Sequence, residues 1–262
     1  MKKMKKLLKS QGILLIICFI SINAFSQTAR EISEKASDII NFKSMEMTST
    51  LKIFDSKGRV RVRQIVTATR EFDQIPKTII KFTSPADVKG TTMLVYDNKT
   101  EDDDMWIYLP ALRKTRRIVS SERGKSFMGS EFTNADMVKP NMDDFNYKLL
   151  PDATLSGKEC WIVETICKDE DIEDANGFSR QVYWIEKGTY LCHKIEYYDL
   201  DNELHRIQTI KDYRKQSDGG YFAFFLKKEN IQNGRKSTMK IDEFLENSTM
   251  PESAFSPTAL GK

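Results

Sequence analysis

MWIYLPALRKTRRIVSSERGKSFMGSEF, residues Met105–Phe132, begins as a β-strand and ends as a segment rich in large apolar side chains. The strand breaks at Pro110, because proline has no backbone N–H to donate to a neighbouring strand. Four cations follow, and large apolar residues then return. These residues are Arg113, Lys114, Arg116, Arg117, Phe127, Met128 and Phe132. Few surface loops require both features, so we expect this stretch to have a binding function.

The sequence around this stretch alternates between apolar and polar residues, the period typical of half-buried β-strands. Before the alternation begins, Thr28–Phe42 has the apolar spacing of an amphipathic helix. Turn signals separate the alternating runs, and Asn176-Gly177 is a typical hairpin turn. The predicted strands include Met45–Phe54, Arg59–Thr69, Lys77–Thr83, Gly90–Asp97, Arg116–Val119, Asp144–Leu150, Lys158–Lys168, Phe178–Ile185, Tyr190–Tyr198, Leu204–Tyr213, Tyr221–Asn230 and Lys236–Phe244. This spacing predicts a mainly β (α+β) protein with one large antiparallel sheet, curled or partly closed.

The first 26 residues have the pattern of a signal peptide. Five lysines precede an apolar run, Ile13–Ala24, that is shorter than the ~20 residues of a membrane span. Ala24 and Ser26 are small residues suited to cleavage before Gln27. Cys18 lies inside this segment, but Ile17 stands where a lipobox requires a small residue. We therefore predict a signal peptide at residues 1–26 and a single domain at residues 27–262. The predicted location is the periplasm, either free or associated with a membrane.

The charge balance argues against a nucleic-acid partner. The whole chain has 41 Lys and Arg against 38 Asp and Glu. Without the five lysines of residues 1–26, the balance becomes 36 basic against 38 acidic residues, a net charge of −2. A general attraction to nucleic acid or to anionic membranes then has no basis. Only the local basic cluster remains as a site for an anion.

Three cysteines follow residue 26: Cys160, Cys167 and Cys192. One pair could be bridged in an oxidising compartment, and Cys160 and Cys192 lie on strands that could be neighbours. Three buried or free thiols are an equally good interpretation. The sequence alone does not fix the pairing.

The motifs of common enzymes and cation sites are incomplete. His193 and His205 lie in strand patterns without a nucleophile motif nearby. Gly124-Lys125-Ser126 resembles the end of a phosphate-binding loop, but Val119 replaces the required glycine. Asp169, Asp171 and Glu173 alternate like the start of a calcium loop, but Asp174 stands where the loop needs glycine. We predict no enzyme activity, no cofactor and no metal site.

The basic cluster and the apolar residues that follow it each have two interpretations. Arginine suits bidentate contact with phosphate or carboxylate, whereas a basic strand edge can also simply prevent sheet-to-sheet aggregation. Phe127, Met128 and Phe132 could belong to the core or to a ligand surface. Methionine fits adaptable apolar pockets, which is compatible with a lipid cavity.

The quoted stretch resembles a signature of the bacterial outer membrane lipoprotein-sorting protein family, which is related to the LolA and LolB carriers. The resemblance rests on Trp106–Lys114, Arg116–Ile118, Ser126–Ser130 and Phe132. It implies a LolA-like fold: a strongly curved, incomplete β-barrel with an N-terminal helix, and helices or loops over its mouth. It also implies an apolar cavity for acyl chains of lipids or lipoproteins, an RND-type transporter as partner and an acceptor at the outer membrane.

From this resemblance we expect a periplasmic carrier that passes lipid or lipoprotein towards the outer membrane without covalent chemistry. The alternatives are an envelope sensor or scaffold that binds a protein partner, such as an RND-type transporter, and a hydrolase using His193 or His205. The residues expected to line or gate the cavity are Trp106, Tyr108, Phe127, Met128 and Phe132. The residues expected to contact a headgroup or partner are Arg113, Arg116 and Arg117.

Overall fold

The computed structural model describes residues 27–40, 43–98, 103–217 and 219–261. The predicted signal peptide at residues 1–26, with Cys18, lies outside this part of the chain. Within it, the chain forms two α-helices, α1 (Ala29–Asp38) and α2 (Glu170–Asn176), and one antiparallel sheet. The strands are β1 (Ser44–Phe54), β2 (Val60–Phe72), β3 (Ile75–Ser84), β4 (Thr92–Tyr96), β5 (Asp104–Leu109), β6 (Lys114–Ile118), β7 (Phe145–Leu155), β8 (Lys158–Cys167), β9 (Arg180–Glu186), β10 (Cys192–Tyr198), β11 (Leu204–Lys215), β12 (Tyr221–Asn230) and β13 (Lys236–Glu246).

The sheet is a curved, unclosed meander of two halves. Its order is β6-β5-β4-β3-β2-β1-β13-β12-β11-β10-β9-β8-β7. The first and last strands along the chain, β1 and β13, pair in the middle, from Met45 opposite Glu246 to Phe54 opposite Lys236. The free edges are therefore β6 and β7. This architecture confirms the predicted mainly β, LolA-like fold.

Helix α1 lies against the second half of the sheet. It begins with a capping box, in which the Thr28 hydroxyl accepts from Glu31 N–H and the Glu31 carboxylate accepts from Thr28 N–H. Ala29 and Ile32 form its buried stripe and pack with Val163 and Ile185. The helix ends at Asp38, four residues before the predicted end, and Phe42 lies outside the described residues.

The chain between the two edge strands, residues 119–144, crosses the concave face of the sheet, and we call it the lid. It consists of short 3₁₀ turns rather than a long helix. Phe127 and Phe132 are buried in the core of the first half, together with Leu51, Phe82 and Met105. The lid therefore covers this half as part of its core.

The C-terminal tail covers the opposite, convex face of the first half. Phe255 and Leu260 are buried with Ala68 and Leu94. The tail contains two 3₁₀ turns, Glu252–Ala254 and Pro257–Ala259. Phe255 and Leu260 therefore anchor the tail on this face.

Two local predictions were wrong. Asn176-Gly177 does not form a hairpin turn; it ends α2, where Gly177 adopts the left-handed conformation (φ 72°) that frequently terminates helices. Asp169 caps the start of this helix by accepting from Ile172 N–H, so the acidic run is helical. Strand β7 also continues past Pro151, because a register shift between Leu150 and Ala153 removes the need for a proline donor.

The three cysteines are free thiols. Cys160 packs with Ile162 and Val182 in a separate cluster from that of Cys192, which lies near Val163 and Ile185. Strand β9 separates the strands of Cys160 and Cys192. The suggested pairing of these two residues is therefore not formed.

Candidate functional site

A cavity of about 370 Å³ lies between α1, the lid and the concave face of the second half. This volume is within the range of small-molecule sites. One face of α1 contributes Ala36, Ile40 follows two residues after the end of the helix, and the lid contributes Val138. The sheet supplies further apolar residues, which include Phe145, Ile195, Ile210 and Leu226. The composition of these walls suits an apolar ligand.

A second cavity of about 290 Å³ lies beneath the lid on the first half. Phe127, Phe132 and Met137 of the lid line it, together with residues from the middle of the sheet. The two cavities share the wall residues Asp136, Gln208, Phe222 and Leu226. They are therefore neighbouring chambers of one concave interior, separated by the lid near Asp136.

A buried ion pair joins the lid to the sheet at this partition. Lys228 on β12 is 1% exposed, and its Nζ lies 2.8 and 2.7 Å from the two carboxylate oxygens of Asp136. The ring of Tyr197 lies 3.8 Å from the same Nζ. Burial lowers the pKa of Lys228, and the Asp136 carboxylate opposes this shift because it stabilises the ammonium.

A second charged group of the lid, Glu131, is 5% exposed and meets cations from the sheet. Its carboxylate lies 3.1 Å from Arg235 Nε and 3.7 Å from Arg206 Nε. Asn230 Nδ2 lies 3.2 Å from Glu131 Oε2 and 3.0 Å from His205 Nε2. Because these contacts tie the lid to β11, to β12 and to the residue before β13, the lid has a fixed position on the second half.

On the other side, Arg63 on β2 holds the turn of the lid. Its guanidinium donates to the backbone oxygen of Met128, and its side chain lies over the Phe82 ring. Met128 has a left-handed backbone (φ 51°) and precedes Gly129 (φ 77°). This tight turn carries the lid from Phe127 back towards Phe132, so that both rings enter the core.

The tyrosines and cysteines near the larger cavity stay protonated. Burial raises the pKa of Tyr147 to about 12, and it raises the pKa of Cys192 to about 12. Burial also raises the pKa values of Tyr183 and Tyr197. The Tyr183 hydroxyl donates to Gln181 Oε1 at 2.6 Å, and the Tyr197 hydroxyl donates to Gln208 Oε1 at 3.1 Å. These hydroxyl and thiol groups are therefore neutral polar groups near the cavity, and none of them is an activated nucleophile.

The five apolar residues selected from the sequence lie on two faces of the sheet. Phe127 and Phe132 line the second cavity, and Met128 packs against the same core. Trp106 and Tyr108 instead pack on the convex face with the C-terminal tail, because they alternate with Met105 and Ile107 along β5. The structure thus brings together only the lid members of this set.

The three selected arginines are exposed at the free edge of the first half. Arg113 lies in the β5–β6 turn with a positive φ of 49°. Arg116 pairs with Glu122 of the lid at 2.6 Å, and Arg117 pairs with Asp104. The cluster is accessible to a headgroup or a partner, but it lies on the surface rather than at the cavity walls.

The histidines have ordinary strand environments. His193 Nε2 lies 2.6 Å from Glu186 Oε2, and its ring meets Tyr213 edge-on. Within the described ranges, we find no group of three or more His, Cys, Asp or Glu side chains that could hold a metal ion. In the part of the chain that the structure describes, no helix is long and apolar enough to cross a membrane.

Sequence reasoning missed the charged partition formed by Asp136, Lys228, Glu131 and Arg206. Lys228 follows Lys227 in a run that looks solvent-facing, and its partner Asp136 is 92 positions away. The strand period offers one signal, because Lys228 falls in phase with Leu226 on β12. That phase places Lys228 on the inner face.

Comparison with known proteins agrees with this architecture. A protein-family model described as "Uncharacterized protein" matches residues 75–262, which is more than half of the chain. None of the curated proteins matches the chain. A solved outer membrane lipoprotein-sorting protein domain from Vibrio parahaemolyticus is 24% identical, with a TM-score of 0.82; the match covers 89% of this chain and 98% of that one.

Two further solved structures are similar. A DUF1329 family protein from Desulfovibrio piger is 26% identical, with a TM-score of 0.81 and coverage of 88% of this chain and 97% of that one. A LolA superfamily protein from Nitrosomonas europaea is 17% identical, with a TM-score of 0.69 and coverage of 88% and 98%. The chain therefore belongs to the family whose model, described as "Uncharacterized protein", matches it, and it shares its fold with the solved outer membrane lipoprotein-sorting protein domain and with the solved LolA superfamily protein.

Proposed function

We propose that this protein is a periplasmic carrier, which binds acyl chains of lipids or lipoproteins and passes them towards the outer membrane. The observation that carries the proposal is the mostly apolar cavity of about 370 Å³ between α1, the lid and the sheet. The fold shared with outer membrane lipoprotein-sorting proteins supports the same role. The predicted signal peptide at residues 1–26 is consistent with export.

The work of such a carrier is hydrophobic transfer rather than covalent chemistry. Each acyl CH₂ removed from water contributes about 0.8 kcal/mol. Four buried methylenes would thus retain a chain by roughly 3 kcal/mol before the loss of its mobility is subtracted. Release then requires a membrane or a partner with higher affinity. We propose an outer membrane acceptor for this step and an RND-type transporter as the partner.

Within this proposal, the lid residues Phe127, Met128 and Phe132 gate the interior. Their aromatic and thioether side chains pack against the second cavity and its core, so displacement of the lid would expose an apolar surface. Arg113, Arg116 and Arg117 contact a headgroup or a partner at the outer edge. Their exposure at the free strand β6 supports this assignment.

The test is to identify what accompanies the purified protein and whether blocking the cavity removes it. Mass spectrometry of an organic extract should find acyl lipid with the wild-type protein. The Ala223→Trp variant should lose it, because Ala223 lines the cavity and the indole would fill it. Ala153→Trp is the matched control, since Ala153 is exposed on β7. If wild-type protein carries no lipid and also fails to bind a fluorescent fatty acid, the proposal is wrong; capture of a protein partner that Ala223→Trp leaves intact would then favour a sensor or scaffold.

A further inference from the structure

Three of the side chains that line the larger cavity come together on one pair of strands. In the pairing of β11 with β12, Gln208 lies opposite Lys228 and Arg206 lies opposite Asn230. Because side chains alternate along a strand, Arg206 and Gln208 share the face on which Lys228 lies. All three side chains reach the cavity wall. Lys228, Arg206 and Gln208 therefore form a polar, positively charged part of a chamber whose walls are mostly apolar.

The cations at this end are incompletely satisfied by the protein. Lys228 is bound by Asp136, but Arg206 Nε is 3.7 Å from the nearest Glu131 oxygen, beyond hydrogen-bonding distance. Arg206 Nε is buried and has no hydrogen-bond acceptor among the residues that the structure describes. Buried donors without an acceptor are rare in native proteins. Arg206 is one of the residues that line the cavity proposed for the ligand, and its unused donor lies just beneath that wall.

The local charge also favours an anion. Three cations, Lys228, Arg206 and Arg235, face two carboxylates, Asp136 and Glu131. Lys228 and Glu131 are buried, whereas the Arg235 side chain is 38% exposed. Electrostatic interactions at the buried groups are stronger than in water. Stability alone is a weak reason to retain a buried ion pair, since apolar residues of similar volume often serve as well. These charges tie the lid to the sheet, and a role in ligand recognition would give them a further use.

We propose that Lys228 and Arg206 form a subsite for the anionic headgroup, a carboxylate or a phosphate, of the acyl ligand in the larger cavity. This inference rests on the proposed carrier function, and it narrows the cargo to amphiphiles with an anionic head. In the unliganded protein, the Asp136 carboxylate serves as the counterion of Lys228. The ligand headgroup takes the free Arg206 Nε–H and shares Lys228 with Asp136.

The test compares three ligands with the same chain by isothermal titration calorimetry at pH 8, below their aggregation concentrations: dodecanoate, dodecyl phosphate and dodecanol. Wild-type protein should bind the two anions at least about tenfold more tightly than the alcohol, a difference of ~1.4 kcal/mol. Inorganic phosphate should not displace them, because it has no chain. Displacement by phosphate at equal concentration would instead identify a site for a free anion and overturn the proposal.

Two variants test whether Lys228 and Arg206 cause the preference for anionic ligands. Arg206→Gln and the double variant Lys228→Met/Asp136→Asn should each lower the ratio of anion to alcohol affinity towards one. Asparagine is used at position 136 because Asp136 Oδ2 also accepts from Thr133 N–H, at 2.7 Å, and the amide oxygen can keep this bond. Lys227→Met is the matched control: Lys227 is the adjacent residue on the same strand and pairs with Glu229. Its ratio should equal that of the wild type.

The outcomes separate the two proposals. Equal binding of all three ligands by the wild type would overturn the subsite and leave the carrier function standing. An anion preference that survives in both variants would also overturn it and direct attention to Arg113, Arg116 and Arg117. If none of the three ligands binds, the proposed carrier function itself fails.

Discussion

His205 is the titratable residue that links pH to the anchoring of the lid. Burial lowers its pKa, and the neighbouring Arg206 lowers it further. Asn230 Nδ2, a donor, lies 3.0 Å from His205 Nε2, so this contact requires an unprotonated Nε2. The folded state therefore favours the neutral ring, and protonation would loosen the contact between β11 and Asn230, which also reaches Glu131 of the lid.

This arrangement predicts a pH-dependent contribution to stability. Because the folded pKa lies below the unfolded value of about 6.5, the unfolded chain binds more protons between the two values. The contribution is fully present above pH ~6.5 and is lost as the pH falls below it. His205→Gln should therefore lose less unfolding free energy than the wild type between pH 7.5 and 5.5, measured by urea denaturation. Identical losses would contradict the assignment.

For individual residues, the sequence indicated some members of the concave interior and not others, and the reason is physical. Phe127 and Phe132 were identifiable because aromatic residues in a loop need an apolar partner. Lys228 and Asp136 were not, since neither residue type indicates burial and their pairing depends on how the lid crosses the sheet. Charge pairs between distant segments leave no local pattern.

Among the elements, the lid is anchored in the core of the first half by Phe127. This side chain is 1% exposed, and its ring centroid lies 5.5 Å from that of Phe82 on β3. Phe127→Ala should lower the free energy of unfolding by about 3–5 kcal/mol, because it removes a buried ring and leaves a cavity. Leu112→Ala is the control; Leu112 is 63% exposed, and its loss should be within about 0.5 kcal/mol. Urea denaturation measures both, and equal losses would show that the lid is only loosely seated.

The strands were predictable as elements because their alternation is a local property. Trp106 and Tyr108 mark the limit of this prediction. Met105 and Ile107, which alternate with them along β5, are also apolar, so both faces of the strand look buried. The convex face is buried by the C-terminal tail, which is distant in sequence. The dipeptide Asn176-Gly177 misled for a related reason, because the left-handed glycine of a hairpin turn serves equally well at a helix end.

For the whole molecule, the tail and the cavity lie on opposite faces of the sheet, so stability and binding should separate. Phe255 is 1% exposed, its ring centroid lies 5.4 Å from that of Phe72, and its backbone oxygen accepts from the Tyr96 hydroxyl at 2.7 Å. Phe255→Ala should lower the free energy of unfolding by about 3–5 kcal/mol. The affinity for dodecanoate, measured by calorimetry on folded protein, should remain that of the wild type. A weakened affinity would show that the two faces are coupled.

The lid begins after β6 and ends before β7, the two free edges of the sheet. It is therefore a covalent tie between the two rims of an open shell. Under the proposed carrier function, a cargo that pushes this tie outward would also pull on both rims, and the strain of loading would be distributed over strands that never touch the cargo. Retention then has an elastic part, set by the stiffness of the shell, in addition to the chemical part set by the cavity walls. Changes at the rims could tune how long a cargo is held without altering what is held.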